Sequence, residues 1–140
     1  MYCTYDDLLI EIPEKDILTL IDDTGNEASM TPVLQTKVEA IIQKADNEIN
    51  SYCMERYTVP LDPIPGIIKD LSVDLSIYKL HNRRGKRASR WDDQYKRAIE
   101  ILEKISEGKM SLGTDNVKPR GVSFTDKAED TRIFKDPMGY

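Results

Sequence analysis

Residues 31–53 read Thr31-Pro32-Val33-Leu34-Gln35-Thr36-Lys37-Val38-Glu39-Ala40-Ile41-Ile42-Gln43-Lys44-Ala45-Asp46-Asn47-Glu48-Ile49-Asn50-Ser51-Tyr52-Cys53. Leu34, Val38, Ile41, Ile42, Ala45, Ile49, Tyr52 and Cys53 recur at the three- and four-residue steps that place side chains on one face of an α-helix. Thr31 supplies a capping oxygen, and Pro32 brings a backbone angle already set for a first helical turn. Lys37, Glu39, Lys44, Asp46, Glu48 and Asn50 fall off the stripe and read as a solvated face. A long amphipathic helix must bury its stripe against something, and the neighbouring segments supply more helices.

Downstream, Arg56-Tyr57-Thr58-Val59-Pro60-Leu61-Asp62-Pro63-Ile64-Pro65 holds three prolines in six residues from Pro60 and reads as an extended connector. Pro65 suits the first position of the next helix. There Ile67, Ile68, Leu71, Leu75 and Tyr78 make one stripe and Val73, Ile77 and Leu80 a second, so this helix is apolar nearly all round and is expected to be the buried one. A further pattern starting near Asp92 aligns Tyr95, Ala98, Ile99, Leu102 and Ile105, and stops at Gly108, a left-handed cap. Upstream, Thr4 and Asp7 cap a short helix through Leu8, Leu9 and Ile10, and Pro13 opens another short one ending at Ile21. The expected fold is all-α: a small bundle of about four to five helices over residues 1–112. Residues 113–140 form an irregular tail whose apolar residues are too sparse for a core of their own. Such a segment is either disordered or ordered by a partner.

The chain has 140 residues, 20 Lys+Arg against 25 Asp+Glu, and a formal net charge of −5. That length suits one domain with a core that needs no disulfide or metal to hold it. No apolar run approaches a bilayer span. The acidic N-terminus lacks the features of a signal peptide, so a cytosolic protein is expected. Cys3 and Cys53 have no metal or redox spacing and read as free thiols, Cys53 buried in its helix and Cys3 near a frayed end.

Charge is unevenly distributed. Residues 1–78 carry 5 bases and 15 acids, whereas residues 79–97 carry 8 bases and 2 acids. Lys79, Arg83, Arg84, Lys86, Arg87 and Arg90 surround Gly85. The cluster reads first as a solvated inter-helix loop pairing with acids on a neighbour, and second as a contact for nucleic-acid phosphate. A mostly acidic surface argues against tight sequence-specific DNA binding but suits a ring through which DNA slides.

Nothing in the sequence assembles an active site. His81 is the single histidine, so no triad or histidine-based metal site can form around a second one, and it is assigned a structural or surface role. No glycine spacing makes a phosphate loop. Asp6/Asp7, Asp22/Asp23 and Asp92/Asp93 sit at helix boundaries and read as caps. Asp22-x-Thr24-x-Asn26 imitates the opening of a calcium loop, but Gly25 comes too early and Val33 stands at the twelfth place. Trp91 is expected to staple onto Tyr95. A non-enzyme without metal or cofactor is expected.

The order of motifs is more specific than any one of them. Ala45-Asp46-x-x-Ile49-x-x-Tyr52, then Arg56-Tyr57-x-Val59-Pro60-Leu61, a helix ending at Tyr78-x-Leu80, Tyr95-Lys96-x-Ala98-x-x-x-Leu102 and Ile105-x-x-Gly108-Lys109 resemble the Mu-like phage and prophage connector family over residues 2–112. Ala45, Asp46, Arg56, Tyr57 and Pro60 carry the most specific part and take fold-defining roles. Tyr57 packs back on Tyr52 and Cys53, and Arg56 pairs with Asp46, Asp74 or helix-end carbonyls. The basic loop around Gly85 is longer than the family pattern. The resemblance implies a helical head-completion protein that forms a homo-oligomeric ring beneath the portal and joins head to tail. It would be made in the host cytoplasm and end in the virion neck, with portal and tail-completion proteins as partners, transient contact with passing DNA, and no membrane. Lys79, Arg83, Arg84, Lys86, Arg87 and Arg90 are the candidate portal, subunit or DNA contacts, and Val122, Phe124, Ile133 and Phe134 the candidate subunit contacts of the tail. The alternative is a small DNA-binding or packaging accessory protein that uses residues 79–97 directly.

Overall fold

A computed structural model describes residues 1–113. Val122, Phe124, Ile133 and Phe134 lie outside the described residues. Five helices follow in order among the described residues: α1 (Tyr5–Glu11), α2 (Glu14–Ile21), α3 (Pro32–Cys53), α4 (Gly66–Arg83) and α5 (Ser89–Ser106). The architecture is all-α, as the periodicity requires.

The caps show why the helices begin where they do. Thr4 Oγ1 accepts from Asp7 N, and the Asp7 carboxylate accepts from Thr4 N at 2.8 Å, a reciprocal capping box at the head of α1. Thr31 Oγ1 accepts from Leu34 N at 3.2 Å, with Pro32 opening α3. Pro13 and Pro65 stand one place outside the positions expected of them, as the extended N-cap residues of α2 and α4. The last helix starts at Ser89, three residues before Asp92. The sequence pattern missed its first turn because Ser89 and Arg90 are polar, although Trp91 lies on the row that buries Ala98, Leu102 and Ile105.

Helix α4 is the centre of the molecule, and its two stripes serve two cores. Ile68, Leu71 and Leu75 pack with Ala45, Ile49 and Cys53 of α3 and with Ala98, Leu102 and Ile105 of α5. Val73, Ile77 and Leu80 pack with Leu8, Ile17, Ile21 and the first half of α3. Burying a Leu or Ile fully contributes roughly 1.5–3 kcal/mol, so this double coverage makes α4 the element whose loss would dissolve both cores.

Three expectations are corrected here. Cys3 is not at a frayed end: it is 1% exposed inside the first core. Trp91 does not staple to Tyr95. It joins the first core with Ile12 and Leu20, while Tyr95 stacks on Tyr78 with ring centroids 4.0 Å apart. Asp46 is not on a solvated face, being 2% exposed.

The connector after α3 runs irregularly through Leu61 to Pro65, with cis peptides at Val59-Pro60 and Asp62-Pro63. Tyr57 is buried against the core that contains Cys53 and Tyr52, as expected, and its hydroxyl accepts from Leu112 N at 3.0 Å. Arg56 pairs with neither Asp46 nor Asp74. Its guanidinium lies across Gly108, where a β-carbon would stand 2.7 Å from Cζ. Gly108 has φ +80°, so glycine there answers both the left-handed helix stop and the close approach of the arginine.

Candidate functional site

The polar residues of the body fall into three groups: a buried network, a basic end and an acidic face. The buried network centres on Asp46. Its Oδ2 accepts from Tyr2 N at 2.8 Å and its Oδ1 from Ser72 Oγ at 2.6 Å. Ser72 Oγ lies 3.1 Å from Cys3 Sγ. With its single proton committed to the carboxylate, the hydroxyl is placed to accept from the thiol. Tyr2 extends the network, its hydroxyl donating to Asn50 Oδ1 and accepting from Leu61 N at 2.9 Å. Burial pushes the Asp46 carboxyl above the usual range, opposed by the hydrogen bonds from Ser72 and Tyr2. Burial also raises the Cys3 thiol, and lifts the Cys53 thiol to about 11, so neither is an activated nucleophile at neutral pH. The network ties the chain start to α3, α4 and the connector. Its role is structural, in keeping with the place of Ala45 and Asp46 in the motif.

The basic end is mostly satisfied within the chain. The six cations assigned from sequence do not share one loop: Lys79 and Arg83 ride on α4, Arg90 on α5, and only Arg84, Lys86 and Arg87 lie between the helices. Lys79 Nζ meets Glu48 Oε1 at 2.8 Å. Arg83 makes two bonds to the Asp23 carboxylate, at 2.9 and 2.6 Å, and a third to Leu20 O, while Arg84 reaches Asp23 at 3.0 Å. These arginines hold the Asp23 carboxyl below its usual range. Arg87 pairs with Asp92, and Arg90 with Glu11 while lying 4.6 Å from the Trp91 ring centroid. The partners expected on a neighbour are therefore supplied by this chain for all but Lys86, which has no ion-pair partner among the described residues. Asp23 is thus an arginine receptor, while Asp22 closes its loop by accepting from Thr24 N, Thr24 Oγ1 and Glu27 N.

One cleft at this end, of about 260 Å³, is lined by Tyr78, Asn82, Gly85, Lys86, Arg87, Asp92, Tyr95 and Lys96. Lys96, like Lys86, has no ion-pair partner among the described residues. The stacked tyrosines are anchored because Tyr95 Oη donates to Glu48 Oε2 at 3.0 Å. Burial first, then that carboxylate, pushes Tyr95 up to about 12. Sequence reasoning placed both tyrosines in the core. Only their partial exposure at the bundle end distinguishes them, and no linear pattern carries that.

The acidic face was not singled out from sequence. Asp7, Ile10 and Glu11 of α1 and Gly66, Lys69, Asp70, Val73 and Asp74 of α4 line a groove of about 570 Å³. Lys69 answers Asp7 at 3.3 Å, and Arg90 answers Glu11 at 3.7 Å. Asp70 and Asp74 have no ion-pair partner among the described residues. Burial, then the charges of Glu11 and Asp70, lifts the Asp74 carboxyl to about 6, with Arg90 opposing. Ile10 is 78% exposed at the groove, and Ile67 beside Gly66 is exposed as well. The sequence signal was Asp70 and Asp74, one turn apart on a helix with two apolar stripes.

Over residues 2–125 the chain matches the family described as Bacteriophage Mu, Gp36. The Mu-like prophage FluMu protein gp36 of Haemophilus influenzae is 32% identical over 79 residues, 56% of this chain and 55% of that protein. The match therefore spans about half the length of this curated relative. The family match also runs past Leu112, where the motif resemblance was expected to stop, and takes in Val122 and Phe124.

Proposed function

The chain belongs to the Bacteriophage Mu Gp36 family, and from that premise we propose that it is a structural virion-assembly protein, a head–tail connector subunit that forms a ring below the portal. It acts by burying interfaces, with no chemical step. The observation that supports this reading most is where the polar side chains go. Asp46, Ser72, Asp23, Arg83 and Lys79 are spent on holding the helices together, while the open surface offers separated charge and isolated isoleucines. Separated patches of opposite charge suit docking between proteins. Assembly in the host cytoplasm, a place in the virion neck and contacts with portal and tail-completion proteins belong to the same proposal. No described helix is long and apolar enough to cross a membrane.

The test is the mass in solution of the full-length protein across a concentration series, alone and with portal rings. A ring-sized or concentration-dependent assembly, or stoichiometric capture by portal, is expected. A strict monomer of 16.0 kDa that ignores portal would defeat the proposal.

One observation favours a second reading, a DNA-binding accessory protein: Lys86 and Lys96 lie on the tyrosine-lined cleft without ion-pair partners among the described residues. They are better probes than Arg83 or Arg84, whose reversal would also release Asp23. Salt-dependent DNA retention lost on Lys86→Glu with Lys96→Glu would favour that reading.

A further inference from the structure

Two surfaces of this molecule carry charge that has no ion-pair partner among the described residues, and they are opposite in sign. The first is the α1–α4 face, where Ile10 and Ile67 are exposed beside Asp70 and Asp74. An isoleucine 78% open to water beside carboxylates with no ion-pair partner among the described residues fits a protein partner that brings both apolar contact and positive charge. The second is the α4–α5 cleft, where Lys86 and Lys96 flank the stacked rings of Tyr78 and Tyr95. Tyrosine rings are enriched at interface centres, and the flanking lysines give this cleft its sign. The groove draws on α4 residues Gly66 to Asp74, and the cleft on Tyr78, Asn82 and the residues that follow. They occupy successive stretches of one helix, so neither surface can cover the other within one copy.

Resting on the ring reading above, we infer that the α1–α4 face of one copy receives the α4–α5 cleft of the next, with Asp70, and Glu11 whose own pair with Arg90 is long and exposed at 3.7 Å, facing Lys86 and Lys96. Two different patches in mutual contact make a heterologous interface, the kind that closes into a ring when its rotation permits. The complementary charges set the register, and Ile10 and Ile67 supply the area removed from water. DNA phosphate is a weaker occupant of the cleft, because Arg83, Arg84, Arg87 and Arg90 already have carboxylate partners in the chain.

The experiment uses full-length protein and two variants, each altered only at exposed positions. One carries Glu11→Lys with Asp70→Lys, and the other Lys86→Glu with Lys96→Glu. Each is checked for folding by its thermal melt, and mass is measured by sedimentation across concentration. Each variant alone should need roughly 100-fold more protein to assemble, because like charges now face each other. An equimolar mixture should assemble as the wild type does, since every interface again pairs lysine with an acid. Variants that assemble like the wild type overturn the inference and leave the ring reading standing, as does a mixture that stays dissociated. Loss of DNA retention with assembly intact overturns it in favour of the nucleic-acid occupant. A wild type that stays monomeric with and without portal overturns both the inference and the ring.

Discussion

The two sides of α4 hold carboxylates in opposite circumstances. On one side Asp46 of α3 is almost fully buried, yet both its oxygens have donors, Tyr2 N and Ser72 Oγ. On the other, Asp74 is half-buried beside Glu11 and Asp70, with Arg90 the cation that offsets them. Burial raises both carboxyls. The difference lies in what answers the charge. A buried acid with two donors is a tie between chain segments, whereas a crowded acid with none is held at a cost to the free subunit. An assembling protein recovers that cost when a partner supplies the missing cation.

The strongest way to break this comparison is to remove the tie. Asp46→Ala leaves the buried Tyr2 amide without its acceptor and the Ser72 hydroxyl with only the weak Cys3 sulfur, each loss costing about 1–3 kcal/mol, so a loss of about 3 kcal/mol in urea unfolding is expected. Asp46→Asn keeps one acceptor oxygen and should cost roughly half as much. A loss under about 1 kcal/mol for the alanine variant would make the network ornamental.

On the other side the sign reverses. Asp74 titrates at 3.8 when unexposed to these neighbours and at about 6 in the fold. Between those values the folded state binds more protons, so its stability falls as pH rises through the window. The full shift would correspond to about 3 kcal/mol, and solvent screening of a half-exposed group reduces this to about 1 kcal/mol. Asp74→Asn should therefore stabilise the subunit by about 1 kcal/mol at pH 7 and by nearly nothing at pH 4, read from urea midpoints at both pH values. The lowered carboxyl of Asp7 works the other way, contributing stability that is lost as pH falls below the unfolded value of 3.8.

The comparison also shows what a linear reading can see. The α3 stripe, the Thr4 and Thr31 caps, the doubly apolar α4 and the Gly108 stop follow local rules of spacing and backbone geometry, and all were legible. Asp46 was misplaced because residue type hid its position: Ile42, Asp46, Ile49 and Cys53 form a helical row, and the row is buried whatever its second member is. Cys3 was misjudged because its burial depends on which helices meet, and Trp91, though on the buried row of α5, was given the wrong partner because the same packing decides which core it enters. At the candidate surfaces the residue types were visible but their pairing was not. Arg83 reaches Asp23 across 60 positions, so nothing local marked it as spent and Lys86 as open.

That contrast gives a smaller effect. Arg83→Ala removes a two-pronged carboxylate contact and a bond to Leu20 O on a side chain 28% exposed, and should cost about 1 kcal/mol. Lys96→Ala should change stability by less than about 0.5 kcal/mol. Chemical denaturation of the two variants side by side checks whether the basic end divides into structural and available cations. Equal losses would erase the division.

The smallest effect is the most discriminating, because Arg90 is the cation that holds Asp74 down. Its pair with Glu11 is long and exposed at 3.7 Å, a contact worth little on its own. Arg90→Ala should thus cost under about 0.5 kcal/mol at pH 7. Its signature is pH: without the guanidinium the Asp74 carboxyl rises above about 6, so the loss is present at pH 7 and fades as Asp74 protonates towards pH 4. In an Asp74→Asn background the part carried by Asp74 must vanish, leaving the Glu11 contact and the packing on Trp91. A double-mutant cycle at both pH values isolates that coupling. A coupling that is the same at pH 4 and pH 7 would mean that Arg90 acts through packing alone, and the crowded charge on this face of α4 would lose its explanation.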